Sequence, residues 1–182
     1  MKRAKMPVSK CEQVPEFEAS IGLSKIGSLR PRLLALVIAQ ALATPTMART
    51  IVVNDAGDAG GAGVCTLRQA VASSNNDAAG VSNCASGVGT GDIIRFSRQV
   101  AEIGSITLSN ASPVTITDDV YIIGPEFAPI VIDGAGNAGV FVADAPRTTL
   151  NNLTIKGGNA EEGGAVSVFG NKRVILDNCT VT

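Results

Sequence analysis

Four carboxylates, Asp118, Asp119, Asp133 and Asp144, are spread among short apolar segments of this 182-residue chain. Two of them facing one cleft could hydrolyse a glycosidic bond, one as the acid and the other as base or nucleophile. The chain has no His, which removes the commonest acid–base side chain but not carboxylate chemistry. Their settings favour a plainer role. Asp133 precedes Gly134, and Asp144 precedes Ala145-Pro146. Both are ordinary turn contexts. Asp118 and Asp119 recur as Asn151-Asn152 and as Asp177-Asn178, which makes them turn residues first. In "NDAGDAGGAG", Asp55 and Asp58 could offer oxygens to calcium. The loop lacks the EF-hand spacing and its glutamate, so no cofactor is expected and calcium is the weaker alternative. Glu161-Glu162 read as solvated turn residues.

Cys65 and Cys84 flank the passage "CTLRQAVASSNNDAAGVSNC". A bond between them would close a loop of about 20 residues and contribute roughly 3 kcal/mol through loop-closure entropy. With no His and no CxxC spacing, zinc is not expected. Between the cysteines, Thr66-Leu67-Arg68-Gln69 fits a capping box, in which Thr66 and Gln69 satisfy each other's backbone amides. Leu67, Ala70, Val71 and Ser74 follow at helical spacing. A helix near 66–76 is predicted, ended by Ser73-Ser74-Asn75-Asn76-Asp77. So short a helix is marginal alone and needs a surface to lie on.

The elements around it are strands. Gly is frequent, aromatics are 3%, Trp is absent and charged residues are 17%, a composition that suits short strands and tight turns. From Ile93 onward short apolar runs are cut by Gly, Pro, Asn and Asp. Three runs align: Asp118-Asp119-Val120-Tyr121-Ile122, Asn151-Asn152-Leu153-Thr154-Ile155 and Asp177-Asn178-Cys179-Thr180-Val181. Their alternation predicts one inward ladder of Val120, Ile122, Leu153, Ile155, Cys179 and Val181, with Tyr121, Thr154 and Thr180 outside. Cys179 reads as a small core filler. Gly124 and Gly157 share one offset after the first two runs. Similar pieces recurring at 20 to 50 residues, with strands and no helix between them, indicate a right-handed parallel β-helix. An antiparallel sandwich is the rival fold, but it does not require a recurring Asp/Asn pair. A stacked coil has an open end that needs a cap, and the helix between the cysteines answers that need, with Leu67 and Val71 pointing into the core.

The first 48 residues differ from the rest. Lys2, Arg3, Lys5, Lys10, Lys25, Arg30 and Arg32 precede the apolar run Leu33–Ala43, and small residues Thr46 and Ala48 follow. That order reads as a secretory signal with an extended basic region, cleaved after Ala48. A retained anchor is the alternative, and Met6 is a second possible start. Cys11 lies before the apolar run and is not placed as a lipoprotein cysteine is. Seven of the 15 Lys and Arg and three of the 16 Asp and Glu precede residue 49, so the remainder carries a net charge of −5. That balance argues against nucleic-acid binding. Three parts are expected: 1–48 signal, 49–92 amino-terminal cap, and 93–182 coils that stop inside a stack.

The stretch "CTLRQAV" at Cys65–Val71 resembles the "CSLREAI" motif of secreted bacterial β-helix proteins related to the polymorphic outer-membrane proteins. The resemblance extends through "TGDIIRFS", "VYIIGPEFAPIVIDGAGNAGVF" and "LTIKGGNAEEGGAV", from Ile51 to the end. Thr66, Gln69 and Val71 depart from the motif, but Thr and Gln preserve the capping box. The resemblance implies a pectin-lyase-like solenoid and a non-enzymatic secreted or cell-surface protein in an adhesion-type role. It implies contact with surface glycans or with proteins of a host or another cell. A membrane would be met only through a region after residue 182. A β-helix polysaccharide lyase or glycoside hydrolase is the alternative.

Overall fold

A computed structural model describes residues 48–77, 83–136, 139–161 and 163–182. The expected signal, except Ala48, lies outside the described residues, as do Cys11 and Glu162. In chain order the elements are β1 (Thr50–Val53), α1 (Leu67–Asn76), β2 (Asp92–Phe96), α2 (Arg98–Ile103), β3 (Ser105–Thr107), β4 (Val114–Ile116) and β5 (Val120–Ile123). They continue with β6 (Ile130–Asp133), β7 (Phe141–Ala143), β8 (Arg147–Asn151), β9 (Leu153–Lys156), β10 (Val166–Val168), β11 (Arg173–Asp177) and β12 (Thr180–Val181).

Among the described residues all strand pairs are parallel and the strands form three sheets. Face A runs β1-β2-β5-β8-β11, face B runs β3-β6-β9-β12, and face C runs β4-β7-β10. Each coil therefore lays one strand on A, one on B and one on C before rising to the next. The fold is an all-β parallel solenoid with short helices.

Pairing stacks like on like. On face A, Ile51, Ile94, Ile122, Leu150 and Leu176 form one inward row. On face B the row is Ile106, Ile132, Ile155 and Val181. On face C it is Ile116, Ala143 and Val168. The earlier members of all three rows are fully buried, and each large aliphatic side chain so buried contributes about 1.5–3 kcal/mol. Burial fails at the last coil, where Leu176, Val181 and Val168 are 46%, 49% and 43% exposed.

This register corrects the single expected ladder. Val120 and Ile122 belong to face A, opposite Thr148 and Leu150. Leu153 and Ile155 belong to face B, opposite Ile130 and Ile132. The second and third runs are in register, Thr154 with Thr180 and Ile155 with Val181, but the first run sits at a different corner. Alternation by two looks the same at any corner; only the hydrogen-bonded neighbour distinguishes them. Cys179 is a half-buried free thiol packed against the core, its Sγ 3.3 Å from the Leu150 carbonyl. Gly124 and Gly157 also separate: Gly157 stacks by the Gly134 turn. Gly124 adjoins Asn152, where any Cβ would collide with the Asn152 carbonyl.

The Asp/Asn pairs still have a structural meaning. Asn152 and Asn178 turn the chain from face A to face B in the left-handed region, with φ of 53° and 50°, where Asn is among the few tolerated side chains. Their amides stack. Asn178 Nδ2 donates to Asn152 Oδ1 at 2.7 Å, and Asn152 Nδ2 donates to the Pro125 carbonyl.

One inward position breaks the pattern. Thr148 is fully buried between Val120 and Val174, and its hydroxyl has no hydrogen-bond partner among the described residues. Thr148→Val keeps the shape and removes the stranded hydroxyl. It should raise stability by about 1–2 kcal/mol, read as a higher urea midpoint at constant slope. A lower midpoint would show that the hydroxyl has a partner in solution.

Candidate functional site

The cap is built from local sequence. In α1 the Thr66 hydroxyl accepts from the Gln69 amide at 3.3 Å, and Gln69 Oε1 accepts from the Thr66 amide at 3.0 Å. Asp77 closes the helix in the left-handed region. Leu67, Ala70, Val71, Ser73 and Ser74 are buried, so Ser73 to Asn76 extend the helix rather than end it. Cys65 and Cys84 are joined by a disulfide, as expected, and both are buried.

Two side chains of α1 bind the edge strand β4. One edge of β4 pairs with β7 through Val114 and Ile116. The other has no strand beside it among the described residues. There Arg68 Nη1 donates to the Pro113 carbonyl at 3.1 Å, and Asn75 Nδ2 donates to the Thr115 carbonyl at 2.9 Å. Asn75 Oδ1 accepts from the Thr117 amide at 2.9 Å and the Asp118 amide at 3.3 Å. The helix thus supplies the bonds a neighbouring strand would make, and an unpaired edge is removed.

Asp58 holds this arrangement from behind. Its side chain is fully buried, and Arg68 Nε and Nη2 meet its two oxygens at 2.8 and 3.1 Å. The Asn110 amide adds a third bond at 2.9 Å. The carboxylate considered for calcium is therefore already paired to a guanidinium, while Asp55 turns back onto the Gly57 amide at 2.8 Å. No group of three or more potential metal ligands occurs among the described residues. Nothing in the sequence pattern singles out Asp92. It is fully buried beneath the cap and accepts from the Arg49 amide at 2.8 Å and the Val88 amide at 3.2 Å.

The four candidate catalytic carboxylates are engaged in turns. Asp118 Oδ1 accepts from the Asp119 amide at 2.8 Å, and Asp119 Oδ1 from the Arg147 amide at 2.7 Å. Asp144 lies 3.6 Å from Lys172 Nζ. These three lie at the corner from face C to face A. Asp133 lies at the corner from B to C, accepting from the Ala135 amide at 2.8 Å and pairing with Lys156 at 3.2 Å. The Ala135 amide first, and Lys156 next, hold the Asp133 carboxyl below its ordinary range. The Asp118 carboxyl is raised above it, chiefly by burial. The Asp119 amide opposes that rise, and the carboxylates of Asp77, Asp119 and Asp92 add to it.

A raised native-state value means that Asp118 costs stability once it ionises. The cost grows as pH climbs from the unfolded value through the folded one. Asp118→Asn keeps an acceptor for the Asp119 amide and removes the charge. It should stabilise the fold near neutral pH, and the gain should vanish below the carboxylate range. Urea midpoints across pH would test this; a gain that grows on acidification would contradict it.

Sequence reading missed an open groove at the corner from face A to face B. In the last two coils this corner is Asn152 alone and then Asn178-Cys179. In the coil before, it is the loop "GPEFAP", 124–129, and in the first coil it contains α2. The corner thus steps outward toward the cap and leaves a channel across successive coils. One half, of 280 Å³, is lined by Arg95, Glu126, Asn151, Asn152 and Asn178 with Ile123 and Gly124. The other, of 350 Å³, shares Arg95, Ile123, Gly124 and Glu126 and adds Phe96, Arg98 and Phe127. No helix among the described residues is long and apolar enough to cross a membrane. Comparison with family models, curated proteins and solved structures finds no match to this chain.

Proposed function

We propose that this chain is a non-enzymatic secreted or cell-surface β-solenoid whose work is contact, with surface glycans or with proteins of another cell. The observation that carries the reading is the state of its carboxylates. Each candidate for hydrolysis is engaged by a backbone amide or a Lys, of its own turn for Asp118 and Asp133 and of a neighbouring coil for Asp119 and Asp144; three of them share the corner from C to A as turn and coil-to-coil contacts, and the fourth lies at the corner from B to C. A capped rod with a lateral groove suits binding better than turnover. The disulfide supports export, because such bonds persist outside the cytoplasm, and the basic and apolar leader fits the same route. The resemblance of "CTLRQAV" to the "CSLREAI" motif supports membership of that group of surface proteins.

The test is incubation of the oxidised chain with neutral and acidic polysaccharides, with assays for new reducing ends and for unsaturated products. Neither should form. Cleavage that disappears in Asp118→Asn or Asp119→Asn would overturn the reading and restore the hydrolase or lyase alternative. Surface labelling of intact producing cells should reach the protein; labelling only after lysis would overturn its location.

A further inference from the structure

We infer that the groove between faces A and B is a contact site for a neutral oligosaccharide chain, with Phe127 as its stacking platform. The inference rests on the contact reading above and names the partner's chemistry. The groove runs across the coils, touching residues from β2, the loop after β5, β8 and the corner after β11. A site built from successive coils fits a linear polymer better than a compact molecule.

The groove offers both kinds of polar group. Arg95 and Glu126 are both exposed, and neither side chain has a hydrogen bond or ion pair among the described residues. The first supplies only donors and the second, ionised, only acceptors. Their charges balance, Arg98 is paired with Glu102 at 2.8 Å, and the Asn side chains beside them are neutral. A ligand rich in hydroxyls, which both donate and accept, satisfies this lining; a polyanion does not. An extended peptide is less suited. Strand addition needs a free sheet edge, whereas β2, β5 and β8 under the groove are paired on both sides.

Phe127 gives the site its apolar face. It is 72% exposed on a loop bracketed by Pro125 and Pro129, whose rings fix their own φ and limit the loop's freedom. A held aromatic ring costs little entropy on binding, and its flat face fits the C–H face of a pyranose.

The experiment is titration of the isotopically labelled, oxidised chain with neutral hexasaccharides of β-linked glucose, β-linked N-acetylglucosamine and α-linked glucose, followed by amide resonances. An acidic hexagalacturonate serves as comparison. At least one neutral probe should shift the resonances of residues 123–127 and 151–152. Phe127→Ala should weaken binding by about tenfold, the scale of losing one anchoring contact. Lys172→Ala, at another corner, should leave it unchanged. No binding by any neutral probe, tighter binding of the hexagalacturonate, or binding indifferent to Phe127→Ala would overturn the inference. New reducing ends during the titration would overturn the non-enzymatic reading instead, with the groove still judged by the Phe127 variant.

Discussion

Asp58→Ala should lower stability by about 3–5 kcal/mol, the largest loss from any single polar substitution in the described chain. The reason is the charge left behind. Arg68 is only 23% exposed, so water screens it in part, and without Asp58 its guanidinium keeps one partner, the Pro113 carbonyl. The Asn110 amide also loses its acceptor. The double variant Asp58→Leu with Arg68→Met removes both charges and should recover part of the loss. It should not recover all of it, because the Asn110 amide and Pro113 carbonyl stay unpaired, at about 1–3 kcal/mol each. Urea midpoints of the two singles and the double would check this. A double variant as unstable as the sum of the singles would show that the pair acts independently and is not a latch.

Cys65→Ser with Cys84→Ser should cost about 3 kcal/mol, and reduction of the native chain should cost the same. The bond closes a sequence separation of 19 residues that contains all of α1. Its loss gives the unfolded chain more freedom and lets the cap leave its surface at lower cost. The expected phenotype is therefore local first: helix signal is lost at lower denaturant concentration than strand signal. Oxidised and reduced chains unfolding at the same urea concentration would contradict this account.

The legible and illegible parts of the molecule divide by range. Cap and disulfide were legible because Thr66, Gln69, Leu67, Ala70 and Val71 state their roles within one helix. The solenoid class was legible from recurring short strands and Asn corners. The face assignment was not, because Val120-Tyr121-Ile122 alternates as Leu153-Thr154-Ile155 does, and only pairing with Thr148 or Ile130 tells them apart. The helix α2 escaped because six residues with only Val100 and Ala101 buried give no periodic signal. Its end signals were present: the Ser97 hydroxyl accepts from the Val100 amide, and Gly104 closes the helix in the left-handed region. The latch on Asp58 joins residues 10 apart in sequence but also draws in Asn110 and Pro113, which no local pattern connects. The groove needs the lengths of one corner compared across coils, which requires the register first.

The central claim is that α1 takes the place of a missing strand along β4. Hydrogen exchange of the Thr117 amide tests it most directly. That amide lies at an exposed residue on the strandless side of β4, and Asn75 Oδ1 accepts from it at 2.9 Å. In the native chain it should exchange slowly, as strand amides do. In Asn75→Ala it should exchange near the unprotected rate, while the Val114 amide, bonded to the Val140 carbonyl, stays protected. Fast exchange of the Thr117 amide in the native chain, or equal protection with and without Asn75, would contradict the claim.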